Sequence, residues 1–497
     1  MRRGLSRLAA VLMVMVVLLP VSTAVATVPR GRRDVIVWVP CREDPEVECG
    51  RLAVPVDWAD PDGPTVDLAL ARRRAKDPRA RIGSLLANPG GPGGSGVDDL
   101  LRPSGFSEEV QRRFDIVGYD PRGVARSNAV ICSASLYREM PPPIMTGQAD
   151  HDRWTAYTRR LRADCRERTG PLYDHVDSVS VARDMDAIRA ALGEEKLTSY
   201  GVSYGTLAQQ MYAELFPGRV RAMVLDSSMD HTLGVREFQE SEAAGVQDAF
   251  DAFVAWCGRD AQCVLHGRDV RALWRSLIGR AERGELTYPG GGPLTAHNLR
   301  WLGVVLTEGP EWQRLAGVLG ALDGGRVPPD LPPQPGGAPP GGVLGAWLKR
   351  LLGGDVAELP TATLCEDHDL SVRDHEEYAE VLAAAGRRAP DLGYNPMPMG
   401  DLPICQGHPV SNPQHRPRYA GRTPLLLANS LHDPDTPYAW ASNVARLLGP
   451  NAVLLTYEGW GHGVYGMTGC VTAAIDAYLI ALTVPERGVR CPPAPAP

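Results

Sequence analysis

"SYGVSYGTLAQQ" spans Ser199 to Gln210 and contains Gly201-Val202-Ser203-Tyr204-Gly205, a G-x-S-x-G pattern. In a chain of 497 residues with 53 glycines the pattern can arise by chance, so its surroundings decide its meaning. The apolar run Leu197–Val202 before it reads as a buried strand. After it, Leu207, Met211 and Leu215 recur at helical spacing, so Thr206–Phe216 reads as a helix. A strand turning sharply into a helix is the setting in which the motif has a physical role. Small residues at 201 and 205 permit the turn. The turn lifts the Ser203 hydroxyl above the sheet edge, at a helix N-terminus whose partial positive charge favours a developing anion.

Outward from this elbow, five more short apolar runs read as buried parallel strands: Ile82–Ala87, Phe114–Tyr119, Arg221–Leu225, Pro424–Ala428 and Ala452–Tyr457. Val181, Met185, Ile188 and Leu192 mark a helix between two of them, with Ser178 or Ser180 as its cap. Alternating strands and helices predict an α/β fold with a mainly parallel sheet. Val35–Val39, Leu52–Val56 and Val66–Ala71 add the first, more antiparallel strands. The rhythm breaks between about 230 and 415. Val246, Phe250, Phe253 and Cys257 share a helical face there, and "PPDLPPQPGGAPPGG" (Pro328–Gly342) reads as a surface loop. Two strand patterns resume afterwards. The expected organisation is therefore a sheet domain over 27–230 and 415–497, with a mostly helical cap inserted over 231–414.

With 44% hydrophobic residues the chain can bury a large core. Its net charge of -7 argues against nucleic acid as a partner. Residues 1–26 read as an export signal: Arg2, Arg3 and Arg7, the apolar run Leu8–Leu19, then Ala24-Val25-Ala26 as a cleavage pattern. Arg2-Arg3 leaves twin-arginine export open beside the general route. Cleavage near Ala26 removes three arginines, taking the net charge from -7 to about -10. No other long apolar run follows, so no stable membrane insertion is expected after signal removal. The ten cysteines are even in number and form no C-x-x-C, which favours disulfides over a metal or thioredoxin-type site. Pairing neighbours in chain order closes five local loops. Oligomeric state is not legible.

A serine hydroxyl needs a base, and the base needs an orienting acid. The candidate base is His462 in "YEGWGHGVYG", at the end of the last strand pattern and between two glycines. The candidate acid is Asp433 in "LLLANSLHDPDTP", with Asp435 on the same loop as its rival. His432 reads as structural. "NPGGPGGSG" (Asn88–Gly96) follows the strand Ile82–Ala87 and lets backbone N–H groups approach a substrate. It lacks the lysine and Ser/Thr of a phosphate loop. Gly91 N–H and Tyr204 N–H are the candidate oxyanion donors.

These stretches resemble one family together. "ECGRLAVPVDW", "NPGGPGGSG", "DIVGYDPRGVARS", "ARDMDAIRAALG", "GVSYGTLAQQMYAELFPGRVRAMVLDS", "AFDAFVAWC", "TLCEDHD", "HDPDTP" and "GWGHGVY" are similar to the secreted tripeptidyl aminopeptidases of actinobacteria, relatives of the proline iminopeptidases. The similarity runs from about Cys41 to Cys491. It implies an α/β-hydrolase fold with the triad Ser203, Asp433 and His462, in the chain order of that fold. It implies a secreted serine exopeptidase that cuts amides near the free N-terminus of peptides through an acyl-enzyme, with no metal and no organic cofactor. Two positions depart from its relatives. Asp435 stands where the family usually has an apolar residue, and Pro89 where proline iminopeptidases place a histidine, although proline is the usual tripeptidyl-type choice. A substrate ammonium needs a counter-charge. Asp367 is the first candidate, with Glu366, Glu240 and Glu242 behind it. The rival readings are an ester hydrolase on the same scaffold and a binding protein with a decayed site, for which a broken triad is expected.

Overall fold

The apolar runs fold as strands of one ten-stranded sheet. The structure, a computed structural model, describes residues 35–288, 291–309, 311–326, 328, 331 and 356–495. The expected export signal lies outside them, as does the segment Pro328–Gly342 apart from Pro328 and Leu331. The strands in chain order are β1 (Val39–Pro40), β2 (Glu48–Pro55), β3 (Thr65–Arg73), β4 (Gly83–Asn88), β5 (Phe114–Tyr119), β6 (Ile131–Ser133), β7 (Leu197–Val202), β8 (Val220–Asp226), β9 (Val356–Glu358), β10 (Leu425–His432), β11 (Ala452–Trp460) and β12 (Arg490–Cys491). The large sheet runs β1-β2-β3-β5-β4-β7-β8-β10-β11-β12. Pairing is antiparallel from β1 to β5 and parallel from β5 through β4 to β12.

All six expected parallel strands are present, and the reason is burial on both faces. Every residue of β5 is buried, as are the first six of β10. The expected strand Val35–Val39 is reduced to β1. It lies at the sheet's outer edge with one neighbour, and Val35, Val37 and Val39 face solvent while Ile36 is buried. The helix expected with a serine cap spans Ser178–Ala191, and its cap is Asp177, whose carboxylate accepts from Ser180 N. A carboxylate also suits the positive end of the helix dipole.

The parallel arrangement gathers the ends of β4, β7, β8, β10 and β11 along one edge, where open α/β sheets bind their ligands. β8 and β10 are neighbours although residues 227–424 separate them. The described residues of the intervening chain are mostly helical: Val235–Arg259, Val270–Glu282, Ala296–Glu308, Trp312–Asp323, Thr361–Asp367, His375–Arg388 and Pro396–Ile404. The helix Val235–Arg259 buries Val246, Phe250, Phe253 and Cys257, as their spacing requires. Phe250 meets Trp274 at 5.1 Å between ring centroids. A second sheet pairs β6 with β9, and Thr158 Oγ1 donates to Gln406 O at 3.1 Å, so the chain after β5 also packs on the inserted helices.

Five disulfides join neighbouring cysteines in order: Cys41–Cys49, Cys132–Cys165, Cys257–Cys263, Cys365–Cys405 and Cys470–Cys491. No cysteine is free.

Just past β5, Arg122 is buried against Asp184, which it meets through two hydrogen bonds of 2.7 and 2.6 Å. The guanidinium also donates to the carbonyls of Pro55, Val56 and His175, and Trp58 Nε1 donates to Asp184. The pair thus fixes the ends of β2 and β5 to the helix Ser178–Ala191. Arg122→Leu leaves a buried carboxylate unpaired and is expected to cost about 3–5 kcal/mol. Denaturant titration checks it; an unchanged midpoint would remove the pair from the fold's determinants.

Candidate active site

β7 ends at Val202, and Ser203 takes φ +56, the left-handed region that non-glycine residues rarely adopt. Such a conformation costs on the order of 1–3 kcal/mol and persists only where its surroundings impose it. Three contacts do so. Ser203 N donates to Asp226 O at 2.9 Å, and Ser203 O accepts from Thr206 N at 2.9 Å and Thr206 Oγ1 at 2.6 Å. The helix Gly205–Leu215 starts hard against β4: a Cβ at Gly205 would lie 2.8 Å from Asn88 O.

The loop after β4 closes on the same elbow. Asn88 Oδ1 accepts from Gly90 N at 3.0 Å, and Asn88 Nδ2 donates to Tyr119 Oη at 2.9 Å. Gly90 has φ +81, and a Cβ there would sit 2.4 Å from Val202 O and 3.0 Å from Tyr204 N. No other residue fits so close to the elbow. The N–H groups of Gly91 and Tyr204 have no acceptor among the described residues, so both are free to meet a ligand oxygen. A cavity of about 350 Å³ opens beside this loop, lined by Asn88, Pro89, Phe106, Tyr200, Val202 and Tyr465 among others.

The acid and the imidazole meet as the spacing suggests. His462 Nδ1 donates to Asp433, at 2.9 Å to Oδ1 and 3.1 Å to Oδ2. Asp433 is buried and also accepts from Asp435 N, Thr436 N and Thr436 Oγ1 at 2.9–3.0 Å. Asn429 Nδ2 approaches it at 3.5 Å. These donors hold the carboxylate on the imidazole. Asp435, the rival acid, makes no hydrogen bond to His462, and both of its carboxylate oxygens are buried without a hydrogen-bond partner among the described residues.

Ser203 and His462 are drawn together through Asp226. Its carbonyl holds Ser203 N. Its carboxylate accepts from Val464 N at 2.8 Å, Tyr465 N at 3.0 Å and Tyr200 Oη at 2.6 Å. Ser227 Oγ accepts from Gly463 N at 2.9 Å. A Cβ at Gly463 would lie 3.5 Å from Val202 Cγ1, so the histidine loop lies against the end of β7. The helix Ala296–Glu308 holds the other side of that loop: His462 N donates to Glu308 O at 2.9 Å. Ser203 Oγ and His462 Nε2 make no hydrogen bond to each other, a contact that in such sites often tightens only once substrate is bound.

Burial opposes the imidazolium, but the charge and hydrogen bond of Asp433, joined by Asp435 and Glu308, outweigh it and push His462 up to about 10. Burial raises the Asp435 carboxyl well above its ordinary value, and Glu308 raises it further. Glu242 is likewise pushed well up by burial, against the hydrogen bond from Asn395 Nδ2 at 2.8 Å.

The four acids expected to read a substrate ammonium have other occupations. Asp367 is fully buried and accepts from Ser178 N, Ser178 Oγ, Tyr204 Oη and Asn412 Nδ2 at 2.5–2.9 Å. Its lone pairs are taken, so the expectation for Asp367 is corrected: it anchors the side chain of Tyr204, the residue after Ser203. Burial, with Asp177 nearby, pushes its carboxyl up to about 7. Glu366 is buried against His408 Nε2 at 2.9 Å and Ser411 Oγ. Glu240 pairs with Arg236 and Arg388. Glu242 alone lies within electrostatic reach of Asp433 and His462. His432 bonds to Asp248 at 2.6 Å and stacks on Trp460.

Sequence reasoning missed Asp226, Thr436 and Glu308. Asp226 had a faint signal, an acid closing the buried strand "AMVLD". Thr436 stands three residues after Asp433, the spacing at which a side chain bonds back to a turn. Glu308 had none, because its backbone carbonyl makes the contact.

Residues 83–385 match the family described as alpha/beta hydrolase fold, and residues 395–491 match a family described as TAP-like protein. The chain is 33% identical to serine protease Hip1 of Mycobacterium tuberculosis, over 92% of this chain and 91% of that protein. It is 28% identical to the tripeptidyl aminopeptidase of Streptomyces lividans, over 94% and 88% respectively. It is also 31% identical to a carboxylesterase B of M. tuberculosis, over 92% and 90%.

Two outcomes follow from this geometry. A base must be neutral to accept a proton, so kcat/KM falls as pH drops below the His462 value. The acidic limb of the pH profile is therefore expected well above 6.5, towards about 10, and a limb at or below 6.5 would contradict the electrostatics. Asp226→Asn turns an acceptor of two loop N–H groups towards donors. It is expected to lower kcat roughly 100-fold, the cost of about 1 Å of misplacement; kinetics at saturating substrate would reveal an unaffected kcat.

Proposed function

We propose a mechanism from one premise: the chain belongs to the α/β-hydrolase family and is a serine hydrolase of the peptidase type. Ser203 is the nucleophile, His462 the general base and Asp433 its orienting acid. The observation that carries this reading is the buried Asp433–His462 hydrogen bond, on a loop that shares Asp226 with the Ser203 elbow.

His462 Nε2 takes the Ser203 proton as Oγ attacks the scissile carbonyl. Asp433 fixes the tautomer and stabilises the imidazolium. Gly91 N–H and Tyr204 N–H receive the oxyanion, and removing one such donor costs about 3 kcal/mol of transition-state stabilisation. His462 returns the proton to the leaving amine, and water then releases the acyl group from Ser203. No step requires a metal or an organic cofactor.

The substrates are peptides, cut at an amide near a free N-terminus. The similarity to tripeptidyl aminopeptidase supports this class. The protein acts outside the cell after signal cleavage near Ala26. Five disulfides without a free cysteine suit an oxidising compartment, and no helix among the described residues is long and apolar enough to cross a membrane. Ester hydrolysis is the second reading, favoured by the similarity to a carboxylesterase.

Ser203→Ala is expected to lower kcat by up to roughly 10⁶-fold and to abolish fluorophosphonate labelling while the circular dichroism is retained. Mass spectrometry of a digested peptide library reads the products. Turnover of aryl esters with no peptide cleavage favours the second reading. Loss of activity in a chelator, with Ser203→Ala still active, overturns both.

A further inference from the structure

The short helix Thr361–Asp367 touches both halves of the candidate oxyanion hole. At its start, Pro360 lies on the loop that carries Gly91: a Cβ at Gly93, which has φ +92, would sit 2.3 Å from Pro360 Cβ. At its end, Asp367 Oδ2 accepts from Tyr204 Oη at 2.5 Å, and Thr363 O stands 3.3 Å from the same hydroxyl. A phenol has one proton, and the carboxylate is the nearer and stronger acceptor. Burial and the charge of Asp367 hold the Tyr204 phenol well above its ordinary value, so it stays a donor.

The helix is itself held at several points. Ser178 N, Ser178 Oγ and Asn412 Nδ2 donate to Asp367, and Asp367 O meets His231 Nε2 at 2.7 Å. Cys365–Cys405 ties the helix to the end of Pro396–Ile404, and Leu359 N donates to Val130 O at 3.0 Å. Tyr204 therefore reaches from the elbow to a fixed anchor 163 residues away in the chain. The anchor matters because Tyr204 follows Ser203, whose φ of +56 persists only where its surroundings impose it. The peptide between the two carries the Tyr204 N–H. A ring free to swing would let that peptide turn.

We propose that Asp367 is a positioning residue for the oxyanion hole: through the Tyr204 hydroxyl it aims the Tyr204 N–H, while Pro360, at the other end of the same helix, seats the loop carrying Gly91. The inference rests on the serine-hydrolase reading and its two backbone donors. Asp367 makes no contact with substrate. It acts on the reaction through the side chain of Tyr204 alone. An oxyanion forms only on the way to the tetrahedral intermediate, so a badly aimed donor lowers kcat and leaves KM in place.

The test compares wild type, Asp367→Asn, Tyr204→Phe and the double variant. A fluorophosphonate probe gives two readings from each. Its final amplitude counts folded sites, and its rate per site reads the stabilisation of the developing oxyanion. Each single variant is expected to slow labelling and to lower kcat about ten-fold, with KM little changed, since small misplacements of catalytic groups act on that scale. The double variant is expected to match the slower single variant, because both changes break one contact. Wild-type labelling rate and kcat in Tyr204→Phe overturn the proposal, as does an effect confined to KM. A lower amplitude at the wild-type rate per site marks a role in folding alone and overturns it too. A double variant slowed by the product of both losses shows that Asp367 does not act through Tyr204. Should Asp367→Asn fail to fold by circular dichroism, Tyr204→Phe decides, since it removes one hydroxyl and leaves Asp367 its contacts with Ser178 and Asn412. A wild type that the probe does not label defeats the serine-hydrolase reading instead, so the two failures stay distinct.

Discussion

The site depends on a single buried residue at the end of a central strand. Asp226 closes β8, between the strand that delivers Ser203 and the strand that precedes Asp433. Its carbonyl takes the Ser203 N–H, and its carboxylate takes two N–H groups of the loop carrying His462. A buried carboxylate without donors would be costly, and a histidine loop without acceptors would leave buried N–H groups unmet. Each solves the other's problem. The exchange brings residues from distant parts of the chain to one sheet edge in fixed register, and it supports the left-handed φ of Ser203.

Around that frame the charge is lopsided. Asp433, Asp435, Glu242 and Glu308 all act on His462, and no lysine or arginine pairs with any of them among the described residues. Burial offsets part of the excess by raising the Glu242 carboxyl well above its ordinary value. The remainder keeps a positive charge on the imidazole. The helix Ala296–Glu308 contributes through Glu308, whose carbonyl holds the His462 backbone.

Several side chains that read as functional in isolation are structural. Asp367 stands in a motif dense with titratable residues, "LCEDHD", and looks free to meet an ammonium. In the fold its lone pairs are filled by Ser178, Tyr204 and Asn412. It anchors the ring of Tyr204, the residue after Ser203. Glu366 and Glu240 are similarly committed, one to His408 and one to two arginines. A sequence shows that a carboxylate exists but not how many donors have already reached it.

The sequence by itself determined the alternation of strands and helices, the elbow at Ser203, the insertion between β8 and β10, and the pairing of neighbouring cysteines. These follow from local periodicity, glycine at tight approaches, and short loops that close cheaply. Tertiary structure alone decided that Asp367 is sealed and that Asp226 and Glu308 brace the loop carrying His462. Hydrogen bonding falls off within tenths of an ångström. Which donors reach a buried carboxylate is therefore set by the mutual placement of segments far apart in the chain, and no local pattern encodes it.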